Sequence, residues 1–378
     1  MVKDNGKAYA TYINDLFLRC KVQKVVLHSL IASVHDMQQS PKATSSSFTE
    51  DILSFNEVSN NFSEAFQVQI LKLLLALVML EQVVVHHSAS GSAKKNAIPV
   101  GLNNKVLRYL SDHAIPDQPM FLAAIVAALK LDAMRHLHSH WTSLVTNCLP
   151  FLDHSLTSTV MEVTGQLASN LESLAPFYTG QQDQEERDFK PVPADYVITQ
   201  LEAMTMMYHF CLIEDSGAAK VSTLPASSSI GSTVNSNQNQ SEILNNLLHV
   251  FLSSSDAKAL MTSSMESSSS MESARKTMLS TLPRLASCAS NIWSALDKAK
   301  DNKSCVLVGA PKAVRSRLLD LLSPIAHHHS VAFLSAIGIT WQEKRSPGAH
   351  GLVKNPLPVC NADQQVLVDM VSFIPYLF

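Results

Sequence analysis

Apolar residues recur at helical spacing along nearly the whole of this 378-residue chain, and no stretch alternates convincingly as a β-strand. Near the N-terminus, Val22, Val26, Leu30 and Val34 form a column with a spacing of four residues. Stripes of this kind recur as Leu137, Trp141, Leu144 and Cys148; Val160, Val163, Leu167 and Leu171; Tyr196, Gln200, Met204, Tyr208 and Leu212; Val314, Leu318, Leu321 and Leu322; and Val331, Leu334, Ile337 and Trp341. The pattern predicts an all-α fold.

The lengths of these segments predict how the helices assemble. Helices of about 12–25 residues joined by short turns with Pro or Asn are typical of antiparallel helix pairs stacked as a HEAT-like α-solenoid. Glycine is scarce, with 11 in 378 residues, which also favours helices. No fixed repeat period is evident, so the pairing is inferred from helix lengths and turns.

Several local patterns make more detailed predictions. The segment from Phe66 to Val85 is apolar nearly all round, which predicts a central helix. Asp117 is expected to cap the helix that begins near Pro119. We expect Pro324 to end one helix of an antiparallel hairpin, with Val331, Leu334 and Ile337 facing Val314, Leu318 and Leu321 across the turn.

Serine-rich segments divide the chain. Residues Ser216 to Ser241 lack periodic apolar residues and are expected to form a disordered linker. The expected domains are therefore a first helical block over 1–215 and a second over 242–378. A last helix is predicted from about Ala362 to Ser372, and the apolar ending PYLF suggests that the second block is truncated at its C-terminus.

Composition excludes some classes of function. The net charge is −3, from 29 basic and 32 acidic residues, so there is no basic footprint for nucleic acid. The six cysteines form no C-x-x-C pair and are interpreted as reduced, mostly buried thiols of a cytosolic protein. The N-terminus has no apolar signal sequence, and Lys72 and Glu81 interrupt the richest apolar run. We therefore expect no transmembrane helix and, at most, peripheral membrane association.

The first candidate site is the run His327, His328 and His329. Successive residues of a helix point about 100° apart, so three in a row do not converge on one metal ion. With a proline before them and a helical stripe after them, they are interpreted as a turn and a first helical turn with partly exposed imidazoles.

A second candidate is the segment RHLHSHW, which contains His136, His138 and His140. On a helix, His136 and His140 are neighbours one turn apart, and Asp132 lies one turn earlier, which is a possible metal column. No further ligand and no H-E-x-x-H motif accompany it, so a solvated helix face is the favoured interpretation.

The remaining motifs are weak. The GAPK sequence, Gly309 to Lys312, lacks the second glycine and the Lys-Ser/Thr pair of a phosphate-binding loop. The charged run Asp183 to Asp188 is read as a solvated connector, with an interaction patch as the alternative. No catalytic, cofactor-binding or metal-ligating residue is therefore assigned, and neither a cofactor nor a small-molecule substrate is expected.

Four segments resemble the Dopey family of large cytosolic proteins of Golgi and endosomal traffic. Ala310 to Arg345, with LLSPI, the histidines and Trp341, is similar to that family's C-terminal region. Ser273 to Leu296, Asp195 to Asp215 and Gln364 to Ile374 also resemble helices of the family. The resemblance covers most of the chain from Val22 onward, and it brings no catalytic motif.

The resemblance implies a non-catalytic scaffold in protein transport between late Golgi and endosomes, at the cytosolic face of their membranes. It also implies association with a Mon-two-type scaffold and with a phospholipid flippase. The alternative is a helical-repeat scaffold of another system, such as nuclear transport or channel-complex assembly. An enzyme that uses Asp132, His136 and His140 is a third possibility, which a metal assay would separate from the other two.

Overall fold

The computed structural model describes residues 2–39, 55–88, 109–110, 113–179, 192–213, 267–298 and 309–345. Within these ranges all regular structure is helical, and the eleven α-helices are α1 (Val2–Arg19), α2 (Val22–Gln39), α3 (Phe55–Ser88), α4 (Pro119–Lys130), α5 (His138–Cys148), α6 (Leu156–Thr179), α7 (Tyr196–Leu212), α8 (Ser267–Ser280), α9 (Leu282–Lys298), α10 (Pro311–His328) and α11 (Ser330–Arg345). Short 3-10 helices lie at Ile115–Asp117, Asp132–Leu137, Leu149–Phe151 and Asp153–Ser155. The all-α prediction is confirmed.

The helices form two layers, since from α1 to α7 each one packs on its next-but-one neighbour in the chain. Helices α1, α3, α5, α7 and α10 follow one another in the first layer, and α2, α4, α6, α9 and α11 in the second. Helix α8 contacts both α6 and α7. Consecutive helices such as α2 and α3, or α10 and α11, contact each other across the two layers. This alternation is that of an α-solenoid, as the helix lengths predicted.

A continuous apolar core runs between the layers from α2 to α11. The stripe on α6 is fully buried, with Val160, Val163 and Leu167 at 0% exposure. The most extensive helix contacts join α6 to α9 and α7 to α10, so helices from both sides of residues 216–241 share the core. The predicted linker over 216–241 and the predicted last helix over 362–372 lie outside the described residues.

The region from residue 117 to 148 differs from the prediction of an Asp117 cap and a continuous stripe. Asp117 belongs to a 3-10 helix, and Gln118 occupies the N-cap position of α4 without a side-chain capping bond. Instead, the buried Gln118 side chain accepts a hydrogen bond from the Leu110 N–H at 2.8 Å and donates one to the His113 carbonyl at 2.8 Å. The helix stops at Lys130, and a 3-10 segment leads into α5.

The hairpin of α10 and α11 was only half predicted. Pro324 lies inside α10, which continues to His328, and the turn falls at His329. Val331 is 82% exposed and Leu334 51% exposed, whereas Phe333 and Ala336 are buried. The predicted facing of Val331 and Leu334 towards α10 is therefore wrong. Since the turn lies five residues later than Pro324 and α11 is apolar on most sides, periodicity alone did not fix its rotation.

Helix α3 contacts α1, α2 and α5, yet it is not enclosed on all sides. Phe66 and Leu73 are 44% and 42% exposed, so one side of the predicted central helix is open, whereas Leu74, Leu77 and Val78 lie in the core. Contrary to the expectation of no transmembrane helix, the stretch Glu64–Val84 is by length and composition apolar enough to span a bilayer. The core helix of a soluble protein meets the same criterion, and 44% of the apolar 18-residue window in this stretch is buried.

Candidate interaction surfaces

His138 is the buried member of the histidine segment between Arg135 and Trp141. Its Nε2 lies 3.1 Å from the Ala128 carbonyl, and its Nδ1 lies 2.7 Å from the Tyr196 hydroxyl. Burial lowers the pKa of His138 to about 4, so the imidazole is neutral near pH 7. Because a carbonyl only accepts, Nε2–H donates to Ala128 and Nδ1 accepts from Tyr196. His138 therefore ties α4, α5 and α7 together.

The other members of the segment point to different partners. The His136 Nε2 lies 2.9 Å from the Glu64 carboxylate on α3, and Asp132 pairs with Arg135 at 2.7 Å. Burial and the nearby Lys72 lower the pKa of His140. In the described ranges no three His, Cys, Asp or Glu side chains are grouped to hold a metal ion. The metal column considered from the sequence is therefore not assembled.

The run of three histidines also divides by position. His327 and His328 are exposed, as predicted, but they lie in the last turn of α10 rather than in a turn and a first helical turn. His329 is half-buried, and its Nε2 donates to the Leu212 carbonyl at the end of α7, 2.8 Å away. His209 of α7 makes the reciprocal contact, with Nε2 3.2 Å from the Leu321 carbonyl of α10. These two bonds join the helices across residues 214–266.

The GAPK motif starts a helix rather than holding a phosphate. Gly309 has φ +133°, a conformation that side chains disfavour. A Cβ added there would lie 3.3 Å from the Val314 side chain and 3.6 Å from the Ala194 carbonyl oxygen. Pro311 then occupies the first turn of α10. The positive φ and the close approach of Ala194, just before α7, therefore both favour glycine at this position.

A polar network that the sequence did not predict joins α2, α3 and the segment before α4. The Glu81 carboxylate accepts hydrogen bonds from the Gln23 side-chain amide and from the Ile115 N–H, each at 2.9 Å. Burial and the charge of Glu81 raise the pKa of Tyr109, whose hydroxyl lies 3.4 Å from Gln23 Oε1. Only the interruption of an apolar run by Glu81 signalled this role in the sequence.

The described cysteines fit a structural interpretation. Cys148, Cys211 and Cys288 are buried, Cys20 is exposed, and none of these four forms a disulfide within the described residues. Burial raises the pKa of the Cys148 thiol to about 12, which leaves it protonated and unreactive near neutral pH. The charged run Asp183 to Asp188 lies outside the described residues.

Helix α1 presents an exposed aromatic and apolar stripe, which we call the α1 stripe. Tyr9 is 68% exposed, Tyr12 65% and Leu16 43%, and their spacing of three and four residues places them on one helix face. The ion pair of Asp15 and Arg19, at 2.8 Å, lies beside them. Tyrosine is enriched at protein–protein contacts because its rigid ring buries a large area and its hydroxyl bonds at the rim. The α1 stripe is the candidate interaction site.

A family model for the DOP1 TPR domain matches residues 1–214, and no solved structure gives a significant match. The chain is 36% identical over 91% of its length to the Protein DOP1 homolog of Drosophila melanogaster, and 28% identical over 97% to Protein DOP1B of Xenopus laevis. It spans 13% and 16% of the length of these relatives, respectively. Because the family model matches more than half of the residues of this chain, the chain belongs to the DOP1, or Dopey, family.

Proposed function

We propose that this chain is a non-catalytic scaffold segment in vesicular protein transport between late Golgi and endosomes. It acts at the cytosolic face of these membranes, to which it is recruited peripherally. The partners proposed are a Mon-two-type scaffold and a phospholipid flippase. Family membership supports a shared role at the level of the family.

The observation that carries the scaffold role is the exposed α1 stripe on a solenoid. Stacked helix pairs form extended surfaces suited to protein partners. Tyr9 and Tyr12 remain more than half exposed. Large aromatic side chains of this kind contribute a large share of the binding free energy at protein interfaces, so they mark where a partner is expected to bind.

Localisation and partner capture test the proposal together. The tagged 378-residue chain is expressed in cells, imaged with Golgi and endosome markers, and purified with its partners. The double variant Tyr9→Ala, Tyr12→Ala should lose both marker overlap and partners. The matched control is Leu18→Ala, which removes a 45% exposed apolar side chain from the other side of the same helix.

Circular dichroism should show equal helicity for the wild type and both variants. If the wild-type chain is instead enriched at nuclear pores or with channel subunits, the proposal is wrong and the chain is a scaffold of another system. Equal loss of partners in the Leu18 control would show that the α1 stripe is not the binding face.

A further inference from the structure

Helix α11 leaves an apolar face without a partner among the described residues. Its Phe333 and Ala336 face the core, and the Thr340 hydroxyl donates to the Pro283 carbonyl of α9 at 2.8 Å. On the opposite side lie Val331 at 82% exposure, Leu334 at 51% and Ile339 at 43%. A Cβ added to Gly338 on this side would meet nothing within 4 Å. We call this side the outer face of α11.

The open side of the neighbouring helix has the opposite character. On α10 the exposed residues are Lys312, Ser316, Arg317, Asp320, His327 and His328, apart from Ala310 just before the helix. Polar residues of this kind are suited to contact with water. Exposed branched apolar side chains grouped on one helix face instead mark a site that something else covers.

The printed sequence continues after α11 with a segment that matches this face. In residues 362–374, Val366, Leu367, Met370, Val371 and Ile374 recur at helical spacing; Asp363 and Gln365 precede them, and Asp369 and Ser372 fall between them. This stripe needs an apolar partner. The outer face of α11 supplies one in the element that immediately precedes it in the chain.

The connection is long enough for the segment to return along α11. Residues 346–361 separate the two, and an extended chain spans roughly 3.3 Å per residue, against a rise of about 1.5 Å per residue along a helix. The sixteen-residue α11 is therefore well within reach. A tethered segment also competes at an effective concentration on the order of millimolar, which favours it over a second copy.

We propose that residues 362–374 bind as an amphipathic helix on the outer face of α11 and extend the solenoid by one element. Val366, Met370 and Val371 contact Val331 and Leu334. The segment and the face each remove the other's apolar surface from water.

Hydrogen exchange of the intact 378-residue chain, read by mass spectrometry, tests the contact. In the wild type, the backbone amides of residues 362–374 should exchange slowly. The double variant Val331→Asp, Leu334→Asp should speed their exchange about tenfold or more, because charge on the face opens the contact locally. The matched control, Ser316→Asp on the open side of α10, should leave this exchange unchanged.

Four outcomes overturn the proposal. The first is fast exchange of residues 362–374 in the wild type. The second is slow exchange that the α11 double variant leaves unchanged, which places the segment elsewhere. The third is a wild-type dimer, measured by light scattering, that the double variant converts to monomer without altering exchange in 362–374, which makes a second copy the occupant. The variant Met370→Asp should reproduce the faster exchange without touching α11, and its failure to do so also overturns the proposal.

Discussion

At the scale of single residues, histidines with similar sequence surroundings have different roles. His138 is 1% exposed and bridges two helices, whereas its neighbour His136 pairs with Glu64 at the surface. His329 bonds to α7, whereas His328 is exposed. Buried polar groups are costly unless paired, so we expect substitution of the more buried histidines, His138 and His329, to lower stability more than substitution of His136 or His328.

His138→Ala should destabilise the fold by about 2–4 kcal/mol, because it removes two buried hydrogen bonds, to the Tyr196 hydroxyl and to the Ala128 carbonyl, and opens a cavity. Urea denaturation followed by circular dichroism measures this. His136→Ala is the control and should cost under about 1 kcal/mol, since it removes only a surface ion pair. Equal costs would contradict the bridging role.

The same histidine predicts a dependence of stability on pH. The folded-state pKa of His138, about 4, lies below the ordinary 6.5, so the unfolded chain binds the proton more readily. Its contribution is fully present above pH 6.5 and is lost as the pH falls from there towards 4. At about 1.4 kcal/mol per pKa unit, at most roughly 3 kcal/mol is lost. The difference in unfolding free energy between wild type and His138→Ala should shrink across this window; a constant difference would refute the assignment.

His329→Ala should cost about 1–2 kcal/mol because the terminal carbonyl of α7 loses its donor. His328→Ala should cost under about 0.5 kcal/mol, since that ring is exposed. Denaturant melts of both variants measure these two losses of unfolding free energy. If His328→Ala cost as much as His329→Ala, the bond to Leu212 would not be the source of the effect.

At the scale of elements, α10 tolerates a proline that was expected to end it. Pro324 lies four residues before His328, the last residue of the helix, and has no N–H to donate to the carbonyl of Asp320. The exposed position of Asp320 lets water satisfy that carbonyl. Burial of Leu321, Leu322, Ile325 and Ala326 on both sides of the proline keeps the helix intact.

Pro324→Ala should therefore raise the unfolding free energy by about 1–3 kcal/mol, because it restores a helical hydrogen bond and removes a steric clash. Thermal and urea melts measure the gain. Pro311→Ala, at the first turn of the same helix, should change stability by less than about 0.5 kcal/mol, since no hydrogen bond is missing there. A loss of stability in Pro324→Ala would instead show that the proline fixes the position of the His329 turn.

At the scale of the whole molecule, the two sides of the serine-rich segment form one folded unit. The contacts of α6 with α9 and of α7 with α10 continue the same apolar core, with Met207, Leu285 and Leu321 all at most 2% exposed. The two histidine bonds lie in the second of these interfaces. The chain connection between the two sides is therefore not what holds them together.

A protease recognition sequence inserted between residues 228 and 229 tests this. After complete cleavage, the two fragments should co-elute from size-exclusion chromatography at concentrations on the order of micromolar, since a large apolar interface holds them. Denaturant should then separate them in a single transition. Fragments that separate on cleavage alone would show two independent blocks.

Much of the fold followed from sequence because helical periodicity is local. The stripes on α6 and α7 were predicted residue by residue and are buried. The exposure of His327 and His328 was also predicted, although they lie in the last turn of α10 and not in the expected turn before the next helix. The family resemblance depended on such segments as well.

Only the tertiary structure decided which face of each helix meets which neighbour. Nothing local distinguishes Val331 from Phe333, or His138 from His136, because α11 is apolar on most sides and imidazoles suit both surface and core. The residues that bond to the buried histidines are distant in sequence: Tyr196 is 58 residues from His138, and Leu212 is 117 residues from His329. Periodicity fixes the buried side of a helix when one side alone is apolar; where several sides qualify, contacts between distant helices select among them.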